Sequence, residues 1–304
     1  MQKEVGGMDD LLLRKMCDDD IDTINALYIE EYGPHYPYLL KSDIQRFNEG
    51  VLIVAESCGQ IVGFARAATL GHYTGVYEFG GLIIRNSYRE SGIAQMLTIA
   101  RVREVHSRGC TAVYSEPVCY RQDKSSQAVL ERFKFVYTGI LPFKYPALKP
   151  EVLGAQPESV VVALRAVHLG LQLQGRALCI PASIRATIES ILSLEKLEEG
   201  QMLHDCQMPE VIISDPVEHG GMQGAAFADV PANWVESNDA IEALMQNGFL
   251  FGALLPGFGQ TQSGQRFDYI VMFKPPQRVA LTMDLVHVPP SLVPMWWYLK
   301  GKLG

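Results

Sequence analysis

The stretch that decides the fold reads RNSYRESGIAQML, residues 85–97. The apolar run Leu82-Ile83-Ile84 leads into it and predicts a buried strand. Gly92 then opens a pattern of Ile93, Ala94, Met96 and Leu97 with helical spacing. A strand that turns tightly into a helix leaves backbone N–H groups unpaired at the helix start, and the helix dipole favours negative charge there. Such a turn suits an anion. Glu90 lies within it, where a carboxylate would oppose a negative ligand, so the stretch reads as either a phosphate-binding loop or an ordinary strand-to-helix connection.

The rest of the chain bounds the choice. Its 304 residues, 48% hydrophobic and 20% charged, predict a core-forming protein of one large domain or two of ordinary size. No apolar run approaches the roughly 20 residues needed to span a bilayer, so no membrane partner is expected. The opening MQKEVGGMDD lacks the apolar stretch of a secretory signal. A net charge of −8 argues against nucleic acid, because neutralising phosphates needs clustered Lys and Arg. Between Arg85 and Arg108, however, five arginines face only two glutamates, enough for a small anionic ligand. The six cysteines form no C-x-x-C pair and read as reduced, mostly buried thiols of a cytoplasmic protein.

Periodicity and turn residues predict a helix over 18–31, a Tyr/Pro-rich loop EEYGPHYPYLL, and a second helix over 42–48. Strands over 51–56 and 60–67 join at the turn Cys58-Gly59, another strand ends near Gly71, and the next covers 76–84. A long helix from Gly92 should stop near Gly109. A strand over 112–116, a helix over 125–132 and strands over 135–141 and 159–166 follow. Antiparallel hairpins feeding a strand–helix–strand–helix–strand run imply an α/β mixed sheet with helices on both faces. The second half echoes the first: LERFKFVYTGILP and LMQNGFLFGALLP align with a constant offset of 114, as 244 − 130 shows. The glycine cluster at 219–224 reads as a flexible loop. The end, PPSLVPMWWYLKGKLG, reads as a docking tail or a homodimer contact.

Taken together, the element order and the motif Arg89-Glu90-Ser91-Gly92-Ile93-Ala94 resemble the GNAT-type N-acetyltransferase superfamily, whose members use acetyl-CoA. The family's pattern is an apolar strand, then Gln/Arg-x-x-Gly-x-Gly/Ala opening a long helix. The resemblance covers residues 8–165. The loops Tyr32-Gly33-Pro34-His35-Tyr36 and Glu116-Pro117-Val118, with the tandem layout, are similar to bacterial two-domain members. It implies a GNAT-like domain over 8–165, then a second, reduced GNAT-like α/β domain over 166–304 with the docking tail.

The resemblance also implies roles. Backbone amides of Arg89, Glu90, Ser91, Gly92, Ile93 and Ala94 would cradle the CoA pyrophosphate, with Gly92 letting the chain approach closely. The guanidinium of Arg89 would join them or form a surface salt bridge. The strand of Leu82, Ile83 and Ile84 would pair with the pantetheine arm and polarise the acetyl carbonyl, and Ser126 would complete the CoA site. Glu78, six residues before Ile84, is the expected general base, because an amine with a pKa near roughly 10.4 must lose a proton before attacking. Alternation predicts Glu78, Gly80, Leu82 and Ile84 on one face. Glu116 is the second choice as base. A general acid is less defined: Leu130 and Lys134 stand where the family's tyrosine and glycine usually do, and Tyr120 is the substitute. Tyr32, His35, Tyr36 and Tyr38 would shape the acceptor site. No metal is implied, and His204-Asp205-Cys206 is rejected as a ligand set. The expected activity is transfer of acetyl to a primary amine, either a small molecule or a protein lysine. The alternatives are a non-catalytic acyl-CoA-binding or regulatory protein, or a second half that docks a protein partner.

Overall fold

A computed structural model describes residues 10–34, 36, 39–40, 50–71, 73–119, 125–145, 157–166, 178–192, 203, 207–215, 218–219, 222–276 and 288–303. Two compact units divide it: Met1–Gly71 with Gly75–Ser115, and His72–Thr74 with Glu116–Gly304. This division falls ahead of the boundary expected at 165/166, because the later elements of the first half are laddered to the second half. Among the described residues, no helix is long and apolar enough to cross a membrane.

In the first unit the strand order is β1 (Leu12–Lys15), β2 (Val51–Ser57), β3 (Gln60–Thr69), β4 (Val76–Ile84), β5 (Ala112–Ser115). β1 to β4 pair antiparallel and β4 with β5 parallel. β1 was not anticipated. The strand expected to end near Gly71 is the continuation of β3. Helix α1 (Ile21–Tyr32) starts after a turn in which Asp20 accepts from the Cys17 amide at 2.8 Å and from the Arg14 guanidinium on β1. Its Ile24, Leu27 and Tyr28 form a core with Phe64 and Ile83. Each such side chain contributes about 1.5–3 kcal/mol on burial. Helix α2 (Ile93–Ser107) buries Ile93, Leu97, Thr98, Arg101 and Val105 along one stripe. It ends where Cys110 N–H bonds Val105 O at 3.1 Å past Gly109, at the expected stop.

One irregularity corrects the expected face pattern. Phe64 pairs with Ile83 but Arg66 pairs with Gly80, so β4 bulges at Gly81 and Leu82. Pairing puts Glu78, Gly80 and Ile83 on the face of Arg66 and Phe64. Ile84 pairs with Gly63, where a side chain would meet Ile84, Ile93 and Leu97 on the α2 side. The extra residue therefore splits the predicted row: Glu78 and Gly80 lie on the α1 side, Leu82 and Ile84 on the α2 side.

The second unit has the antiparallel order β7 (Glu158–Ala166), β6 (Val136–Tyr145), β12 (Leu250–Gln260), β13 (Arg266–Lys274), β11 (Ala226–Pro231), β8 (Ile212–Ser214). Its helices are α3 (Ser125–Arg132), α4 (Ala182–Leu192), α5 (Glu236–Gln246) and α6 (Val293–Leu303). The 114-residue echo extends to backbone detail. Left-handed residues recur at Lys134 and Gly248 and at Phe143 and Gly257. Register shifts fall between Tyr137 and Gly139 and between Phe251 and Ala253, then between Leu141 and Tyr145 and between Leu255 and Gly259. The glycine cluster read as a loop contains a short ribbon in which β9 (Glu218–His219) pairs with β10 (Met222–Gln223). In the tail, Met295, Trp296 and Leu299 are buried, whereas Trp297 is 60% exposed. Cys110 and Cys119 are buried but Cys17 and Cys58 are exposed, against the expectation of mostly buried thiols.

Candidate active site

The loop after β4 turns tightly into α2. A single 3-10 turn, Asn86–Tyr88, closes it, and the Ser91 hydroxyl donates to Tyr88 O at 2.5 Å. Glu90 and Gly92 both take left-handed backbone, with φ of 68° and 87°. The Gly92 carbonyl accepts from the amides of Gln95 and Met96, starting α2. Among the described residues the amides of Glu90, Ser91, Gly92, Ile93 and Ala94 donate to no backbone carbonyl. Amides without a backbone acceptor at a helix start are a set of donors that an anion can occupy. The Glu90 side chain is exposed. Arg89 forms an ion pair with Glu31 near the end of α1, and its Nε donates to Ile84 O at 3.4 Å.

β4 is the second component. Its parallel ladder with β5 runs Val76↔Ala112, Tyr77↔Val113 and Glu78↔Tyr114 and then stops, so Glu78 stands where the two strands part. The Glu78 carboxylate is half-buried, with Oε1 4.0 Å from Nη2 of Arg66. Beyond it three successive carbonyls are capped by side chains. Ser115 Oγ donates to Phe79 O at 2.8 Å, Arg101 Nη1 to Gly80 O at 3.3 Å, and Tyr28 Oη to Gly81 O at 3.0 Å. Arg101 also donates to Arg66 O at 3.0 Å and to Thr98 Oγ1 at 3.1 Å, and lies 4.4 Å over the Phe79 ring. It is 2% exposed and has no carboxylate partner among the described residues. Burial pulls its pKa down to about 9, so it remains a cation at neutral pH. Burial likewise pushes the Tyr28 phenol well above its ordinary value, so it remains a donor.

Gly81 must be glycine. Its φ is +60°, and a Cβ there would stand 2.6 Å from the Tyr28 hydroxyl. Tyr28 in turn stacks on Tyr36 (centroids 4.9 Å apart), and Tyr36 on Tyr32 (4.8 Å). Two members of the expected acceptor loop are thus joined to the bulge through one side chain. His35 and Tyr38 lie outside the described residues, as do Tyr120 and the His204-Asp205-Cys206 triplet. In the second unit, Ser126 is half-buried on α3. Glu116 is buried there, ion-paired to Lys144 and accepting from the Tyr145 hydroxyl, so both its oxygens are engaged.

Sequence reading missed Tyr28, Arg101, Ser115 and Glu31. Arg101 carried a signal: it interrupts the apolar stripe Ile93, Leu97, Val105 at the spacing of a core position. Tyr28 was hidden within an ordinary core stripe.

Residues 20–135 match the model of the Acetyltransferase (GNAT) family. The chain is 27% identical over 141 residues to N-alpha-acetyltransferase 60 of Xenopus tropicalis, a match spanning 46% of this chain and 57% of that protein. The chain thus spans little more than half the length of this relative. Among solved structures, an N-acetyltransferase from Staphylococcus aureus Mu50 aligns with 53% of this chain and 100% of its own, at 17% identity and a TM-score of 0.45. The ribosomal-protein-S18-alanine N-acetyltransferase of Escherichia coli aligns with 54% and 97%, at 11% identity and a TM-score of 0.41. The likeness to the acetyltransferase (GNAT) family thus rests on residues 20–135, the segment that holds β4, the loop after it and α2.

Proposed function

We propose that this chain is an N-acetyltransferase that moves acetyl from acetyl-CoA directly to a primary amine, without a covalent enzyme intermediate. One observation carries the reading: β4 loses its β5 partner beyond Glu78, in the strand that runs into a loop of free amides. An exposed strand edge followed by an anion cradle matches a ligand with an amide-bearing arm and a pyrophosphate.

In this reading the amides of Glu90 to Ala94 hold the pyrophosphate, the Arg89 amide being engaged by Asn86 O, and the backbone of Leu82–Ile84 holds the arm and polarises the thioester carbonyl. Glu78 removes the proton of the acceptor ammonium, directly or through a water, and the CoA thiolate that departs takes its proton from solvent. Tyr32 and Tyr36 line the approach of the amine, either a small molecule or a protein lysine. Residues 8–165 form the catalytic domain and 166–304 a reduced relative of it. The recurring bulges and left-handed positions at an offset of 114 support that relationship.

The test has two stages. Calorimetry measures acetyl-CoA binding, and thiol release is then followed across amines, polyamines, amino acids and lysine peptides. Binding with amine-dependent thiol release is expected. Binding without transfer to any amine favours the acyl-CoA-binding reading, and no binding removes both.

A further inference from the structure

Three consecutive carbonyls of β4 are capped by side chains from three different elements: Phe79 O by Ser115 of β5, Gly80 O by Arg101 of α2 and Gly81 O by Tyr28 of α1. A carbonyl and the following N–H belong to one amide, so a donor on the oxygen draws electron density from the nitrogen and makes its N–H a stronger donor. The three caps therefore act on the N–H groups of Gly80, Gly81 and Leu82, all within the segment that has no β5 partner.

Two features exceed what packing requires. Among the described residues Arg101 is a fully buried cation without a carboxylate, and its Nε finds no partner. A buried charge in that state is costly, and an apolar residue of similar size would fill the site more stably. Its charge is instead directed at the two carbonyls flanking the bulge, those of Arg66 and Gly80. Gly81 is held in left-handed backbone with the Tyr28 hydroxyl where its side chain would be.

We propose that Arg101 and Tyr28 are positioning residues that fix and polarise the bulge amides of Gly81 and Leu82 as donors to the thioester oxygen. This rests on the acetyltransferase reading. Tyr28 also stacks against Tyr36, so the donor strength of the bulge is linked to the acceptor loop.

Tyr28→Phe deletes one hydroxyl and keeps the ring. Its kcat should fall about tenfold, less than the loss of a direct oxyanion donor, with KM for acetyl-CoA within about twofold. Isotope-edited infrared spectra of bound acetyl-CoA should show the thioester carbonyl stretch moving to higher frequency than in the wild-type protein, as polarisation weakens. Arg101→Lys should recover part of the kcat lost in Arg101→Met; if the Arg101 variants do not fold, the Tyr28→Phe result decides. An unchanged carbonyl frequency in Tyr28→Phe overturns the proposal, whatever happens to kcat, because lost packing would lower activity without altering polarisation. Absence of acetyl-CoA binding by the wild-type protein would instead overturn the acetyltransferase reading itself.

Discussion

Gly139 of β6 and Ala253 of β12 stand opposite each other where the two strands meet, and they are 114 residues apart, equivalent positions of the two echoed segments. A strand pairing with its own counterpart brings the backbones together at the point of equivalence. A Cβ on Gly139 would lie 2.3 Å from both Ala253 Cβ and Gly252 O. Gly139→Ala should therefore destabilise the second unit by about 1–3 kcal/mol, read as a lower urea midpoint. Ala253→Gly makes no clash and should cost only about 0.5–1 kcal/mol. Equal effects of the two substitutions would mean that this contact is not close-packed.

Much of the fold was legible because long periodic segments and their stops are local. The helix expected to run from Gly92 to Gly109 is α2, and the helix expected over 125–132 is α3. The split of Glu78 from Leu82 was not legible. Alternation assumes one residue per ladder step, and the bulge depends on partners in β3, α1 and α2. Arg101 shows the same limit: its sequence position marks it as buried, but only the tertiary structure reveals two backbone carbonyls as its partners. β1 was missed because four residues at an edge, with Arg14 and Lys15 among them, carry too little pattern.

The acid limit of stability should trace to Asp20. The Arg14 guanidinium, opposed by burial and aided by the Cys17 amide, lowers its pKa from 3.8 to about 2. A carboxylate whose pKa is lower in the folded state adds stability above its unfolded pKa, and loses it as pH falls through the folded one. Asp20→Asn should cost roughly 2 kcal/mol at pH 7, and the difference from wild type should vanish as pH falls from about 4 to about 2. Urea midpoints measured across that range check it, and a constant difference would remove the ion pair as the cause.

Glu78 has a kinetic signature distinct from a structural one. Glu78→Gln keeps the size of the side chain 4.0 Å from Arg66 but removes the base. The kcat should fall about 10²–10⁴-fold. The residual rate should climb with pH toward roughly 10.4 as the free acceptor amine accumulates. A variant with the wild-type rate and pH profile would transfer the base role elsewhere. Glu116 is a poor replacement, since Lys144 and Tyr145 hold both its oxygens.

Glu90 sits in the loop with its backbone in left-handed geometry, φ 68°, and its side chain exposed. For a residue bearing a Cβ that geometry costs about 1–2 kcal/mol, a cost glycine avoids. Its carboxylate stands in solvent, where ions screen it over roughly 8 Å. Glu90→Gly therefore relieves strain and removes a negative charge, offset in part by the greater unfolded-state freedom of glycine. The expected outcome is equal or slightly higher thermal stability, with acetyl-CoA binding unchanged or modestly tighter by calorimetry. Glu90→Ala keeps the strain and should gain nothing in stability. If Glu90→Gly instead weakens acetyl-CoA binding tenfold or more, the carboxylate organises the loop, and a cradle built from backbone amides alone is the wrong description of residues 89–94.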